Sequence, residues 1–286
     1  MTDRADDPLV TVDWLARHLE APDLRILDAT WHLPTSGRDA RAEYAAKRIP
    51  GALFFDIDEI CDTASPLPHM LPSPEKFASR MRKLGLGDGA RLVIYDTHGL
   101  FSAARAWWMF RAMGHEDVTV LDGGLPAWEA AGQPVEEEPP LRPQERHFTA
   151  RFRADLVRDL TDLKINMQKA RALVIDARPA ARFKGEEPEP RPNVRAGHIP
   201  DAVNVPAADM LNPDKTMKPK AALTEIFAAA GVGPKTRVIC MCGSGVTAAV
   251  TALGLARIGR WDAPVYDGSW AEWGGLPDTP VATGEG

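Results

Sequence analysis

The sequence predicts an α/β protein made of two tandem copies of one unit, each a mainly parallel sheet flanked by helices. Three observations carry this prediction. The chain repeats itself at about half its length, and each half alternates short β-branched runs with longer helical patterns. The stretch between the halves, QPVEEEPPLRPQERHFTAR, is dense in proline and charge and shows no helical or alternating apolar period.

The repeat is specific at several points. Leu24 to Ala29 (LRILDA) matches Leu173 to Ala177 (LVIDA), and Ile49-Pro50-Gly51-Ala52 matches Ile199-Pro200-Asp201-Ala202; each reads as a strand followed by a turn. Further on, Leu92 to Tyr95 (LVIY) matches Arg237 to Cys240 (RVIC), and Asp122-Gly123-Gly124 with Trp128 matches Asp267-Gly268-Ser269 with Trp273. A constant offset of 145 residues describes this latter half, taking 93 to 238, 122 to 267 and 128 to 273. LVIYD, then SAARAWWMFRAMG, then VTVLDGG reads as strand, helix, strand, and such alternation favours a parallel sheet covered by helices. Gly114 and Gly259 fall where the helices should stop. The resulting domains are residues 9–132 and 152–282, with a linker at 133–151 crossing the surface.

Composition narrows the function. A chain of 286 residues is comfortable for two cores, and 40 acidic against 34 basic residues give a net charge of −6. That balance disfavours nucleic acid and membrane surfaces as partners. No apolar run approaches the roughly 20 residues of a membrane helix, and MTDRADDPLV lacks the basic and apolar regions of a signal peptide. Cys61, Cys240 and Cys242 are odd in number and suggest no disulfide framework, so a reducing compartment, the cytoplasm, is expected.

The chemistry concentrates in one loop. Thr236 to Met241 reads as a buried strand and Ala248 to Arg257 as an amphipathic helix, with CGSGVT between them. A strand, a tight loop of small residues and a helix start form a nest of N–H groups aimed at the first loop position, here Cys242. Such donors and the helix dipole favour a thiolate, which is the nucleophile. Gly243 and Gly245 permit the curl. Cys240, inside the strand, and Cys61 read as ordinary buried cysteines. The C-x-C pair lacks the second ligand pair of a zinc site, so neither metal nor cofactor is expected. The 145-residue offset sets Thr97 opposite Cys242; a hydroxyl cannot become a thiolate, so the first copy is expected to lack a nucleophile and the chain to hold one active site.

From about Val10 to Val281 the chain resembles the tandem-domain rhodanese-like sulfurtransferases, through the loop CGSGVTA and the segments SPLPHMLP, WWMFRAMGH, RFKGEEPEPR, GHIP and YDGSWAEW. The loop resembles that of the family's 3-mercaptopyruvate branch, whereas the thiosulfate branch tends to carry basic residues after the cysteine. The resemblance implies that Ser244, His69 and Asp58 form a hydrogen-bonded relay beside the nucleophile, the first domain supplying the last two. It implies that Arg182 and Arg191 grip the substrate's carboxylate and keto oxygen, and that Gly243, Gly245, Val246 and Thr247 line the substrate site. RFKGEEPEPR itself reads as an irregular loop.

Plainer readings stand beside these. Either arginine reads equally as a solvated charge, His69 as a capped loop histidine and Asp58 as its surface partner or a helix N-cap. His198 reads as a turn residue bonding locally, and His98, His115, Trp107 and Trp108 as packing or surface residues. The implied activity moves sulfur from 3-mercaptopyruvate to a thiol, cyanide or thioredoxin through a Cys242 persulfide, releasing pyruvate. Its rivals are a thiosulfate sulfurtransferase, for which Gly243 and Ser244 offer no cation; a cysteine phosphatase, which wants arginine where Ala248 stands; and a non-catalytic binding protein.

Overall fold

The computed structural model describes residues 7–138 and 144–285. They fold as two units. The first comprises the described residues up to Thr63, of Leu71–Arg153, and of Pro213–Met217; the second comprises Ala64–Met70, Ala154–Asn212 and the described residues from Lys218 on.

The first unit runs β1 (Leu9–Val10), α1 (Val12–His18), β2 (Leu24–Asp28), α2 (Ala40–Ala46), β3 (Leu53–Phe54), α3 (Pro74–Lys83), β4 (Arg91–Tyr95), α4 (Ser102–Ala112), β5 (Val118–Leu121) and α5 (Gly124–Ala130). The second runs β6 (Val157–Arg158), α6 (Leu160–Lys169), β7 (Leu173–Asp176), α7 (Ala180–Lys184), β8 (Val203–Asn204), α8 (Lys220–Ala229), β9 (Val238–Met241), α9 (Ala248–Arg257), β10 (Val265–Tyr266) and α10 (Ser269–Trp273). Each unit holds a five-stranded sheet, in the orders β1-β5-β4-β2-β3 and β6-β10-β9-β7-β8. Every strand pairing within the two sheets is parallel. All four residues of the central strand β9 are buried, as expected of a parallel strand covered on both faces. The helix after each central strand is sunk in its unit: all of α4 is buried, and α9 from Ala248 to Ala256. Trp107 and Trp108 are thus core residues. Arg111 and Arg105, also buried, lie over their rings at 5.0 and 4.4 Å.

The strand register corrects the alignment of the two copies. Tyr95 pairs with Asp28 and Met241 with Asp176. The Ala29 N–H donates to the Tyr95 carbonyl and the Ala177 N–H to that of Met241, at 2.9 and 2.8 Å. Tyr95 and Met241 are therefore equivalent, 146 residues apart rather than 145. Pairing of Ile94 with Val120 and of Cys240 with Val265 restores the offset of 145 at β5 and β10. The change falls across the intervening helix, eleven residues long in α4 and ten in α9. The counterpart of Cys242 is consequently Asp96, not Thr97. Gly99 and Gly245 then coincide, and both are left-handed, with φ of 99° and 79°.

The expected linker is tied to the first unit. Arg48 and Glu136 form an isolated antiparallel bridge, and Phe148 is buried against the rings of Phe77, Phe110 and His115. Residues 139–143 of that stretch lie outside the described residues.

The copies also differ at one strand end. In the second, Asp176 is bidentate with Arg178; in the first, the position of Arg178 holds Thr30, whose N–H donates to Asp28 at 2.9 Å. Burial pushes the Asp28 carboxyl from 3.8 up to about 6, against hydrogen bonds from Thr30 and Tyr95 and with the charge of Asp96 adding to the rise. The folded state thus holds this proton more tightly than the unfolded chain, so Asp28 contributes stability below about pH 4 that is lost as the pH rises through 6. Asp28→Asn should stabilise the first unit by about 3 kcal/mol at pH 8 and by almost nothing at pH 4, read from urea midpoints at the two pH values. A pH-independent effect would remove the ionisation account.

Candidate active site

The second unit places Cys242 at the carboxyl end of β9, where parallel sheets hold their ligands, and leaves it 2% exposed. Its backbone is fixed on both sides. The Cys242 N–H donates to Ser269 Oγ at 3.2 Å, while its carbonyl accepts from the Trp270 N–H at 2.9 Å and that of Gly243 from the Ala271 N–H at 2.8 Å. Ser269 also donates to the Tyr266 carbonyl at 2.8 Å and holds a left-handed φ of 49°, a conformation that costs a non-glycine residue about 1 kcal/mol or more. The position matching Ser269 in the first copy is Gly124, with φ 57°.

The first copy shows what this loop architecture binds. Asp96, at the Cys242 position, is buried, and its carboxylate accepts the N–H of His98 at 2.9 Å and those of Phe101 and Ala103 at 2.8 Å each. The cradle takes an anion. Equivalent N–H groups in the second copy belong to Ser244, Thr247 and Ala249, the last donating to the Val246 carbonyl at 3.2 Å. Ser244 and Val246 are buried, and Gly245 makes the left-handed turn.

Arg182 and Arg191 converge on this loop. A Cβ built on Gly243 would lie 3.2 Å from an Arg182 terminal nitrogen, pressing it by a few tenths of an ångström, and 3.9 Å from one of Arg191, in ordinary contact, so both guanidinium groups lie beside this glycine. Burial pushes the Arg191 guanidinium down from its usual value; Cys242 holds it up, Arg182 pushes it further down, and Glu189 holds it up. Arg182 stands on α7, so RFKGEEPEPR is helical at its start, contrary to the loop reading, and irregular beyond Lys184. The sequence reading missed two residues behind these arginines. Arg178, 1% exposed, is bidentate with Asp176, donates to Glu189 at 2.8 Å and to the Gly197 carbonyl at 2.7 Å, and lies 4.4 Å over the Trp270 ring. Glu189 in turn bonds both Nε and a terminal nitrogen of Arg182. The signal for Arg178 was the pairing of Asp176 with Arg178 in one copy and Asp28 with Thr30 in the other; Glu189 had none.

The relay residues are distributed. His69, buried and left-handed with φ 60°, lies in the segment Ala64–Met70, which belongs to the second unit and not, as expected, to the first; Ser244 lies in the CGSGVT loop of the same second unit. Asp58 belongs to the first unit, where its carboxylate accepts the Trp31 indole N–H at 2.8 Å. Asp58 also accepts the Cys61 thiol on its carbonyl at 3.0 Å; burial pushes that thiol up, with the charge of Asp58 acting in the same sense. Cys240 is fully buried, and burial raises its thiol far above the usual range, which suits a core residue. His198 is structural, stacked 3.8 Å from Phe183 and bonded to its carbonyl at 2.8 Å. His98 is part of a first-unit network, within 2.8 Å of His32, which meets Glu43 at 2.9 Å.

The chain is similar to known proteins over nearly its whole length. The rhodanese-like domain model matches residues 11–131 and 159–276. The 3-mercaptopyruvate sulfurtransferase of Escherichia coli strain K12 is 45% identical over 273 residues, covering 95% of this chain and 96% of the relative. That of Homo sapiens is 42% identical over 286 residues, covering 97% and 96%. The crystal structure of the 3-mercaptopyruvate sulfotransferase SseA from Escherichia coli superposes with a TM-score of 0.85 at 43% identity, over 92% of this chain and 99% of that one.

Proposed function

The chain belongs to the rhodanese-like family, and on that premise we propose that it transfers sulfur from 3-mercaptopyruvate to a thiophilic acceptor through a persulfide on Cys242. The observation that carries the reading is the pair of guanidinium groups meeting over Gly243, next to the nucleophile. One is suited to the carboxylate by its planar fork, the other to the keto oxygen.

The Cys242 thiolate attacks the substrate sulfur. An S–S bond forms, the C–S bond breaks, and its electron pair leaves as the enolate of pyruvate, which takes up one proton to give pyruvate. Charge develops on the keto oxygen, where an arginine stabilises it. The N–H groups of the CGSGVT loop, with Gly243, Gly245, Val246 and Thr247 lining the substrate site, hold the outer sulfur as an anion in the manner of the Asp96 cradle. Ser244 and His69, both of the second unit, manage the proton of the substrate thiol. A small thiol, cyanide or a reduced thioredoxin then removes the sulfur. Three cysteines, all free, fit a reducing compartment such as the cytoplasm, and no helix among the described residues is long and apolar enough to cross a membrane.

The alternative donor is thiosulfate. Mixing the protein with either donor and measuring pyruvate and intact mass separates the two: the proposal expects pyruvate and a gain of one sulfur atom with 3-mercaptopyruvate. Faster loading by thiosulfate would overturn the substrate assignment.

A further inference from the structure

We infer that Glu189 sets the charge of the substrate site, and with it the preference for a monoanionic sulfur donor over a dianionic one. The inference rests on the donor reading above and extends it to a residue that touches no reacting atom.

The cluster behind Gly243 is a chain of alternating charge. Asp176 is bidentate with Arg178, Arg178 bonds Glu189, and Glu189 holds Arg182, with Arg191 beside Arg182 over the same glycine. Three guanidinium groups thus stand against two carboxylates, leaving one net positive charge. Burial makes that balance matter: the side chains of Asp176, Arg178 and Glu189 are 0, 1 and 3% exposed, so solvent screens them little. With the Cys242 thiolate beside it the site carries no surplus positive charge, so each further negative charge on the donor is opposed, and a 2-keto-3-thiol acid with its single carboxylate is favoured over a dianion such as thiosulfate. Gly243 and Ser244 bring no cation to make up the difference.

Glu189 also determines which face of Arg182 is available. Its two oxygens occupy Nε and one terminal nitrogen, so the guanidinium is clamped with its remaining donors free for an incoming group. Glu189 is accordingly a positioning residue whose charge acts on specificity through Arg182. A brace with no electrostatic role would, on removal, slow both donors alike; a charge-setting residue would change their ratio.

The test measures kcat/KM for 3-mercaptopyruvate and for thiosulfate, with cyanide as common acceptor, in the parent protein, Glu189→Gln and Glu189→Asp. Removing the charge in Glu189→Gln should raise the thiosulfate to mercaptopyruvate ratio by roughly tenfold or more. Glu189→Asp keeps the charge and should keep the parental ratio even where both rates fall. A ratio within about twofold of the parent in Glu189→Gln, or a shifted one in Glu189→Asp, overturns the inference. Affinities for pyruvate and for sulfate, measured by calorimetry in Cys242→Ser with and without Glu189→Gln, give the same comparison without turnover. Preference of the parent for thiosulfate would sink the donor reading instead, while the change of ratio between variants would still report on Glu189.

Discussion

Cys242→Ala should lower pyruvate release by at least about four orders of magnitude while leaving the fold intact, and Cys242→Ser should do the same. Serine tests the chemistry rather than the packing. It is close in volume to cysteine and keeps the backbone bonds from Cys242 N–H to Ser269 and from Trp270 to the Cys242 carbonyl, since neither involves the side chain. What it removes is the sulfur nucleophile, in whose place a hydroxyl is a far weaker attacking group. Either substitution at this 2%-exposed position should cost about 1 kcal/mol of stability, visible as a shift of a few degrees in thermal midpoint. Cys240→Ala is the matched control: Cys240 sits in the strand two residues earlier, with a thiol that burial pushes far from ionisation, and should retain activity within a few-fold. Mass spectrometry after loading with 3-mercaptopyruvate should find the added sulfur in the parent and in Cys240→Ala, and in neither Cys242 variant.

Much of this was legible because local chemistry and global fold agree. A buried β-branched strand, a glycine-bracketed loop and a helix are each determined over a few residues, and Ala248–Arg257 falls on α9 residue for residue. The glycine stops also held, with Gly114 and Gly259 left-handed at 82° and 90°. What failed was counting. A single offset assumes that no element changes length, and α4 carries one residue more than α9, so Thr97 was set opposite Cys242 in place of its neighbour Asp96. Sequence pattern averages over a helix face and does not register one extra residue at its end; strand pairing does. Glu189 was hidden for a different reason. A glutamate between two arginines in a charged stretch looks solvated, and only tertiary packing shows its side chain to be 3% exposed between Arg178 and Arg182. The division of the chain was drawn from the repeat and the composition of the linker, neither of which hints that Ala64–Met70 belongs with the second unit.

The register correction yields the largest expected effect on stability. Asp96→Ala should destabilise the first unit by about 4 kcal/mol, because three N–H groups, the buried one of Ala103 and the half-buried ones of His98 and Phe101, lose a charged acceptor together. Asp96→Asn should fall between, since one amide oxygen replaces the oxygen that serves His98 or the one that serves Phe101 and Ala103, and its NH₂ then faces donors. The order parent, Asn, Ala, read from urea midpoints at pH 7, tests whether the loop is an anion cradle held shut by its own carboxylate. An Asp96→Ala variant as stable as the parent would mean that the loop keeps its shape without an anion. The same evidence that the loop of the second copy favours a thiolate or a persulfide anion would then be lost, because the two loops share strand, left-handed glycine and helix start. In the first copy the anion is part of the chain; in the second, the proposed function leaves the same cradle for the sulfur that Cys242 would carry.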